Sequence, residues 1–376
     1  MKFAIITQVP HLTEKGQYWS YAPYVREMNI WFKYVDEVIV VAPLSAQPKS
    51  AVDMAYEHPT INFREISDFN ILNMASIAKT MWKIPRIGFR IFRAMQRADH
   101  IHLRCPGNIG LLGCFLQILF PGKPKTAKYA GNWDPDARQP WSYKWQRWIL
   151  SNTFLTKNMQ VLVYGQWPGS SQNIKPFFTA TYKESDKVPV EPRSFASGIR
   201  LLFVGTLAPG KRPMYAVQLV EKLRQLGNPV TLEMYGEGKE RASLESYISQ
   251  HGLQDAVFLK GNQSEATVRM AYQQSHFLLL PSQSEGWPKV VAEAMFWGCL
   301  PVSSSVSCVP DMLGHGKRGV LLEMDLEKDA AQISALRSDQ QRYHTMAAAG
   351  MQWSRQYTTD VFESSIRQLL QNSVKR

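Results

Sequence analysis

The chain is expected to be an α/β protein of two halves, each built round a parallel β-sheet. Three observations predict this. Its 376 residues are too many for one ordinary hydrophobic core. Short apolar runs alternate with helical stretches, the alternation that makes βαβ units. That alternation restarts at Leu201-Leu202-Phe203-Val204-Gly205, after a polar run from Lys183 to Pro192 that has the make-up of an interdomain linker.

Composition narrows the class. Apolar residues make up 45% and charged residues 20%, as in ordinary globular proteins. No apolar run is long enough to span a bilayer; the longest, 111–120, contains Cys114 and Gln117. The opening run 2–7 is too short for the core of a signal peptide and is read as a first strand. Cys105, Cys114, Cys299 and Cys308 lack CxxC spacing and fall in or beside apolar segments. They are expected to be reduced core thiols in a cytoplasmic protein, with no zinc site. A net charge of +12 suits nucleic acid, an anionic membrane or acidic small molecules.

In chain order, a strand over 3–7 leads into the loop 11–17, where Lys15-Gly16 could approach a phosphate or an acceptor. An aromatic-rich helix over 18–34 and a strand over 37–42 complete a βαβ start without the dinucleotide G-x-G-x-x-G. A strand over 61–66 precedes a helical region over 73–99, interrupted at Pro85. That region carries Lys79, Lys83, Arg86, Arg90, Arg93 and Arg97 among Trp82, Phe89 and Phe92. It reads equally well as a membrane-surface element or as a core helix with a solvated basic side. No nucleic-acid-binding motif accompanies the charge.

The strand over 100–103 ends at Arg104, which is expected to point into a cleft mouth. Asn108 is expected to cap a helix over 110–118. A strand over 125–129 ends at a polar loop containing Asn132 and Asp134-Pro135-Asp136. One such acidic tripeptide does not supply the several oxygen ligands a metal needs. A Trp-rich helix over 141–150 and strands over 161–164 and 177–179 end the first half. In the second half, helices are expected over 214–226, 264–274, 327–337, 339–355 and 360–373, with strands over 231–235 and 257–262.

The stretch 277–298 is the densest in chemistry. The apolar run Phe277-Leu278-Leu279-Leu280 reads as a buried strand, Pro288 as the first turn of a helix and Gly298 as its end. Backbone N–H groups at that helix start, beyond the strand's C-terminal end, favour a phosphate. Glu285 and Glu293 can each accept paired hydroxyls, so a phosphate flanked by sugars is the ligand that suits the stretch.

Glu285 and Glu293, with Gly286, Pro288 and Glu293-Ala294-Met295, resemble the Glu-x7-Glu signature of the retaining GT-B glycosyltransferases of family GT4. The resemblance continues through Gly298 to Val302, Val309 to Leu313 and Gly319 to Leu322, and upstream through Lys211 and the Gly236-Glu237-Gly238 loop. It implies a GT-B fold of two Rossmann-like domains facing a central cleft: an acceptor domain over 1–190, a donor domain over 196–355, and a last helix, about 356–376, returning to the first. It also implies transfer of a sugar, with retention, from a nucleotide-sugar to a saccharide or lipid-linked saccharide, in cell-surface polysaccharide synthesis. Glu285, Lys211 and Asn132 would be catalytic. Gly205, Thr206, Lys211, Arg212, Gly236, Gly238, Asn262, Gly286, Trp287, Pro288, Lys289 and Glu293 would bind the donor. Lys15, Gly16, Arg104 and Asn108 would bind the acceptor. No cofactor or essential metal is expected, nor a nucleic-acid partner; an anionic membrane surface is a candidate partner.

Two positions depart from the pattern. Thr206 stands where the family has an arginine, and Asn132 lies where many members have a histidine. A catalytically weak nucleotide-sugar-binding subunit, or a GT-B epimerase or phosphorylase, is the alternative reading.

Overall fold

The computed structural model describes residues 1–50, 53–67 and 82–374. The chain divides into two compact units, Met1–Phe178 with Phe362–Arg376, and Thr179–Val361.

The first unit contains β1 (Lys2–Ile6), β2 (His11–Glu14), β3 (Gln17–Tyr21), α1 (Ala22–Phe32), β4 (Glu37–Ala42), β5 (Asp53–Ala55) and β6 (Ile61–Glu65). It continues with α2 (Ile84–Arg97), β7 (His100–Cys105), α3 (Asn108–Leu116), β8 (Lys125–Tyr129), α4 (Trp141–Ser151), β9 (Met159–Tyr164) and β10 (Ile174–Phe177). Seven strands form a parallel sheet in the order β10-β9-β8-β7-β1-β4-β6. Its central strands are buried on both faces, which is why they read as unbroken apolar runs.

Several expectations are corrected here. The helix expected over 18–34 begins at Ala22, with Pro23 in its first turn. Residues 17–20 instead pair antiparallel with 11–14, and Glu14 faces Gln17. Lys15 and Gly16 are therefore a two-residue hairpin turn, with φ of 50° and 78°. Aromatic bulk at Tyr18 and Trp19 suits a strand as well as a helix, and the turn decides between them. Asn108 is the first residue of α3 and not its cap; Gly107 holds that place, with no side-chain capping bond. Pro85 starts α2 and does not interrupt it. The helical stretch expected before it, with Lys79, lies outside the described residues. The strand expected over 177–179 runs earlier, over Ile174–Phe177.

Arg104 does not point outward. Its guanidinium donates to Glu27 of α1 at 2.9 Å, lies over the Tyr24 ring, and is 15% exposed. Glu27 also pairs with the fully buried Lys128 at 3.1 Å. A carboxylate already inside the fold draws in the arginine, because neither charge is tolerated there alone.

The second unit contains β11 (Ile199–Val204), α5 (Pro213–Gln225), β12 (Val230–Tyr235), α6 (Arg241–Gln250), β13 (Val257–Gly261), α7 (Glu265–Gln274), β14 (Phe277–Leu280) and α8 (Lys289–Phe296). After these come β15 (Leu300–Ser304), α9 (Val309–Met312), β16 (Val320–Leu322), α10 (Leu326–Ser338) and α11 (Gln340–Ser354). The last helix, α12 (Thr359–Val374), begins in this unit and continues in the first. The sheet is parallel in the order β13-β12-β11-β14-β15-β16. Pro288 stands one residue before α8, and Gly298, at φ +70°, ends it by donating to Met295 while Cys299 donates to Ala294.

Arg193 closes two of these helices. It donates to the carbonyls of Tyr272 and Gln273 at the end of α7, at 3.0 and 2.9 Å, and to those of Trp297 and Gly298 beyond α8. The cation meets the negative ends of both helix dipoles. All four cysteines are buried free thiols.

Arg193→Ala should destabilise the protein by about 3–5 kcal/mol, the scale of removing one partner from a buried charged network. Arg193→Lys should recover little, since an ammonium lacks the planar fork that reaches four carbonyls. Urea unfolding of the three proteins checks both. A second expectation concerns pH. Burial, foremost, lowers His11 and His276 to about 4 and His100 to about 3. Below about pH 6.5 the unfolded chain takes up protons that these folded histidines refuse, so stability should fall steadily from pH 7 towards pH 4. Equal urea midpoints at pH 7 and pH 5 would contradict this.

Candidate active site

In the second unit the chain runs outward from β11 in two directions: to β12 and β13 on one side, and from β14 to β15 and β16 on the other. The order reverses between β11 and β14. Loops at the C-terminal ends of parallel strands leave a crevice at such a reversal, where ligands bind. Lys211 lies on the loop after β11 and Glu285 on the loop after β14. Their side chains meet across the reversal, Lys211 Nζ donating to Glu285 Oε1 at 2.5 Å. Glu285 is 9% exposed and Lys211 33%.

The backbone fixes the Lys211 loop from both sides. Towards β14, Gln283 N donates to Gly210 O at 2.8 Å. Towards β12, Leu207 N donates to Glu237 O at 3.0 Å and Glu240 N to Leu207 O at 2.9 Å. The two loops approach so closely that a Cβ on Gly238 would lie 2.3 Å from Leu207 O, and one on Gly236 2.0 Å from Gly205 O. Glycine is needed at both for close approach. Gly236 N also donates to Gly261 O at 2.9 Å, which sets Asn262 beside this loop. Thr206 is exposed beside Leu207. Arg212 takes the left-handed conformation, φ +48°, and hands the chain to α5 at Pro213.

On the other side, the Gly286 carbonyl accepts from Cys308 Sγ at 3.1 Å and Ser307 Oγ at 3.4 Å. Trp287 packs on Trp353 and Tyr357, with ring centroids 6.0 and 5.5 Å apart. Lys289 opens α8, and one turn on, Glu293 is held at both oxygens. Thr181 donates to one at 2.6 Å and Tyr272 to the other at 3.0 Å. Burial, and then the adjacent Glu293, push the Tyr272 phenol well above its usual range, so it stays a donor. Sequence reasoning missed Thr181 and Tyr272, since nothing local in either segment points to a glutamate so far along the chain.

Lys211, Arg212, Gly205, Thr206, Gly236, Gly238, Asn262, Gly286, Trp287, Pro288 and Lys289 thus belong to loops or helix starts at one end of this sheet, with Glu293 one turn into α8. The arrangement offers a cation, a carboxylate and backbone amides at one crevice, the groups that bind a diphosphate and an adjoining sugar.

Lys15, Gly16, Arg104, Asn108 and Asn132 lie on the first unit. The loops after β7 and β8 are neighbours: Ala130 N donates to Cys105 O at 2.6 Å, and a Cβ on Gly131 would lie 2.9 Å from Pro106. Asn132 closes its own turn, Oδ1 accepting from Asp134 N at 2.9 Å. Lys15 and Gly16 sit apart from these loops, on the hairpin of the small β2-β3-β5 sheet. Among the described residues, no cluster of His, Cys, Asp and Glu could hold a metal ion.

A model of the family described as Glycosyl transferases group 1 matches residues 186–353. GDP-mannose:cellobiosyl-diphosphopolyprenol alpha-mannosyltransferase of Xanthomonas oryzae pv. oryzae is 25% identical over 283 residues, 67% of this chain and 71% of that protein. Amylovoran biosynthesis glycosyltransferase AmsK of Erwinia amylovora is 29% identical over 144 residues, 37% of this chain and 35% of that protein. Among solved structures, HepE of Anabaena in complex with UDP and glucose superposes with a TM-score of 0.70 at 15% identity, over 99% of each chain. Sucrose-phosphate synthase of Thermosynechococcus elongatus gives 0.68 at 16% identity, over 99% of this chain and 98% of that one. At such identities the likeness is one of fold, and the fold is GT-B.

Gly238→Ala should separate the two sutured loops. The overpacking should cost about 1–3 kcal/mol in urea unfolding, and any nucleotide-sugar that stabilises the parent should stabilise the variant less.

Proposed function

We propose, from the match of residues 186–353 to the glycosyl transferase group 1 family, that the chain moves a hexosyl group from a nucleotide-sugar to a saccharide or lipid-linked saccharide. The anomeric configuration is retained, and the product serves cell-surface polysaccharide assembly. The observation that carries this reading is the Lys211–Glu285 pair at the reversal of strand order. A mannosyltransferase named for a diphosphopolyprenol substrate and an enzyme named for amylovoran biosynthesis are among the similar proteins, and support the class of acceptor.

In this reading Lys211 and the amides near Gly286 and Trp287 take the diphosphate, and Glu285 takes hydroxyls of the donor sugar. Glu293 offers its remaining acceptor capacity to the ribose. As the bond from the anomeric carbon to the diphosphate oxygen breaks, negative charge grows on the leaving group. Lys211, already held by Glu285, stabilises that charge without having to reorganise. The acceptor oxygen bonds to the anomeric carbon on the face the diphosphate leaves, and its proton passes to the departing diphosphate oxygen. No enzyme-bound glycosyl intermediate forms. Lys15, Gly16, Arg104 and Asn108 are proposed for the acceptor and Asn132 for the donor sugar; Arg104 acts from within its pair with Glu27. The leaving-group charge is met by Lys211 and amides, so activity is expected to survive a chelator.

Lys211→Met should lower kcat/KM by about 10²–10³-fold, the cost of losing one preorganised donor, when assayed at a temperature where the variant is folded, since the Glu285 carboxylate left without its partner should also lower the unfolding midpoint. Thermal shifts with UDP-, GDP-, ADP- and dTDP-sugars should single out the donor, because a bound ligand stabilises by mass action. Silence from every donor would overturn the proposal.

A further inference from the structure

Three helices of the first unit lie on one face of its large sheet, and their outward sides differ from the rest of the surface. α2, α3 and α4 contribute to one buried core with β1, β4, β7, β8 and β9. On α4 the residues turned inward are Ser142, Gln146, Ile149 and Leu150. Trp141, Trp145 and Trp148 are 55%, 51% and 59% exposed. Their spacing of four and three residues places them in one stripe along the helix.

The stripe extends sideways. Phe115 of α3 is exposed and approaches Trp145 with centroids 6.1 Å apart. Leu119, just after α3, and Phe154, just after α4, are also exposed. Phe89 on α2 and Trp82 before it are exposed on the same layer. Among the described residues of the second unit, the exposed large apolar side chains are Val188, Leu226, Phe258, Met270 and Val361, with one aromatic among them. Among the described residues, exposed aromatic side chains are therefore concentrated on this face, with Tyr21 of β3 and Phe258 lying elsewhere. So is positive charge: α2, α3 and α4 carry Arg86, Arg90, Arg93, Arg97, Lys144 and Arg147 and no carboxylate.

We propose that this face docks on an anionic phospholipid bilayer. Trp would enter the interfacial layer, which suits a ring with an apolar body and a polar N–H, and the Phe rings would add apolar area beside it. The arginines would meet lipid phosphates, each nearby cation being attracted. Protein interfaces interleave both signs of charge to fix register, whereas these three helices carry one sign only, with Glu65 of β6 at the edge beside Arg90 and Arg93. A second copy bound about a two-fold axis would set this patch against itself, cation to cation. The inference does not rest on the reaction proposed above, although a lipid-linked acceptor would lie on the same surface.

The test is co-sedimentation of the full chain with two kinds of vesicle: phosphatidylcholine alone, and phosphatidylcholine with about one-third phosphatidylglycerol. Binding is expected to the second only, lost as salt rises, with a blue shift of tryptophan emission. Replacing Trp141, Trp145 and Trp148 by Ser should abolish the shift and weaken binding at least about ten-fold. Arg86→Gln with Arg93→Gln and Arg97→Gln should weaken it about one hundred-fold, roughly five-fold per cation. Unfolding midpoints show whether each variant is folded, and Trp148→Ser alone serves if the triple variant is not. Equal binding to both vesicles, no binding to either, or undiminished binding by folded variants would overturn the proposal. A tryptophan-dependent dimer or complex with single-stranded nucleic acid in place of vesicle binding would overturn it too.

Discussion

One buried guanidinium sets the frame of the second unit. Arg193 binds the last carbonyls of α7 and those beyond α8. Four acceptors that no helix could satisfy internally share a single planar donor. The arrangement fixes where α8 ends, hence where it begins, and hence where Glu285 and Glu293 stand. Tyr272, whose carbonyl accepts from Arg193, uses its hydroxyl to hold Glu293. The same guanidinium thus braces the helix that carries the glutamate and the residue that orients it.

That bracing bears on an electrostatic difficulty in the sequence. Two carboxylates near a helix start that would take a phosphate should repel it. At the effective dielectric near a protein surface, like charges 4 Å apart cost about 4 kcal/mol. The fold removes the difficulty for each glutamate separately. Glu285 is paired with Lys211. Glu293 is turned towards Thr181 and Tyr272. An anion entering the crevice would meet amides and a shared cation in place of two bare carboxylates.

Much of this was legible in the sequence, for identifiable reasons. Strands of a doubly covered parallel sheet must be apolar throughout, so β1, β4 and β14 could be read directly. The Glu285-to-Glu293 spacing was legible because both lie on one loop-helix unit. The first hairpin was not, since Tyr18 and Trp19 suit either conformation and only the backbone at Lys15-Gly16 settles the matter. Arg104 was misplaced because its partner, Glu27, comes from α1, 77 residues away. Thr181 lies 112 residues from Glu293, and Arg193 is about as far from the carbonyls beyond α8. Such pairings are made by the tertiary fold, and no local pattern announces them.

The suturing of the Lys211 loop separates shape from chemistry. Its course is set by peptide groups of Leu207, Gly210, Glu237, Glu240 and Gln283, which exist whatever side chains those positions carry. Side chains on the loop's outer side are then free to change without bending it. Thr206, where the family resemblance calls for an arginine, is such a position: exposed, and beside a suture but not part of its side-chain chemistry. The loop can therefore exchange one outer side chain for another without changing its course, with the glycines opposite it, Gly236 and Gly238, as the fixed cost of that freedom.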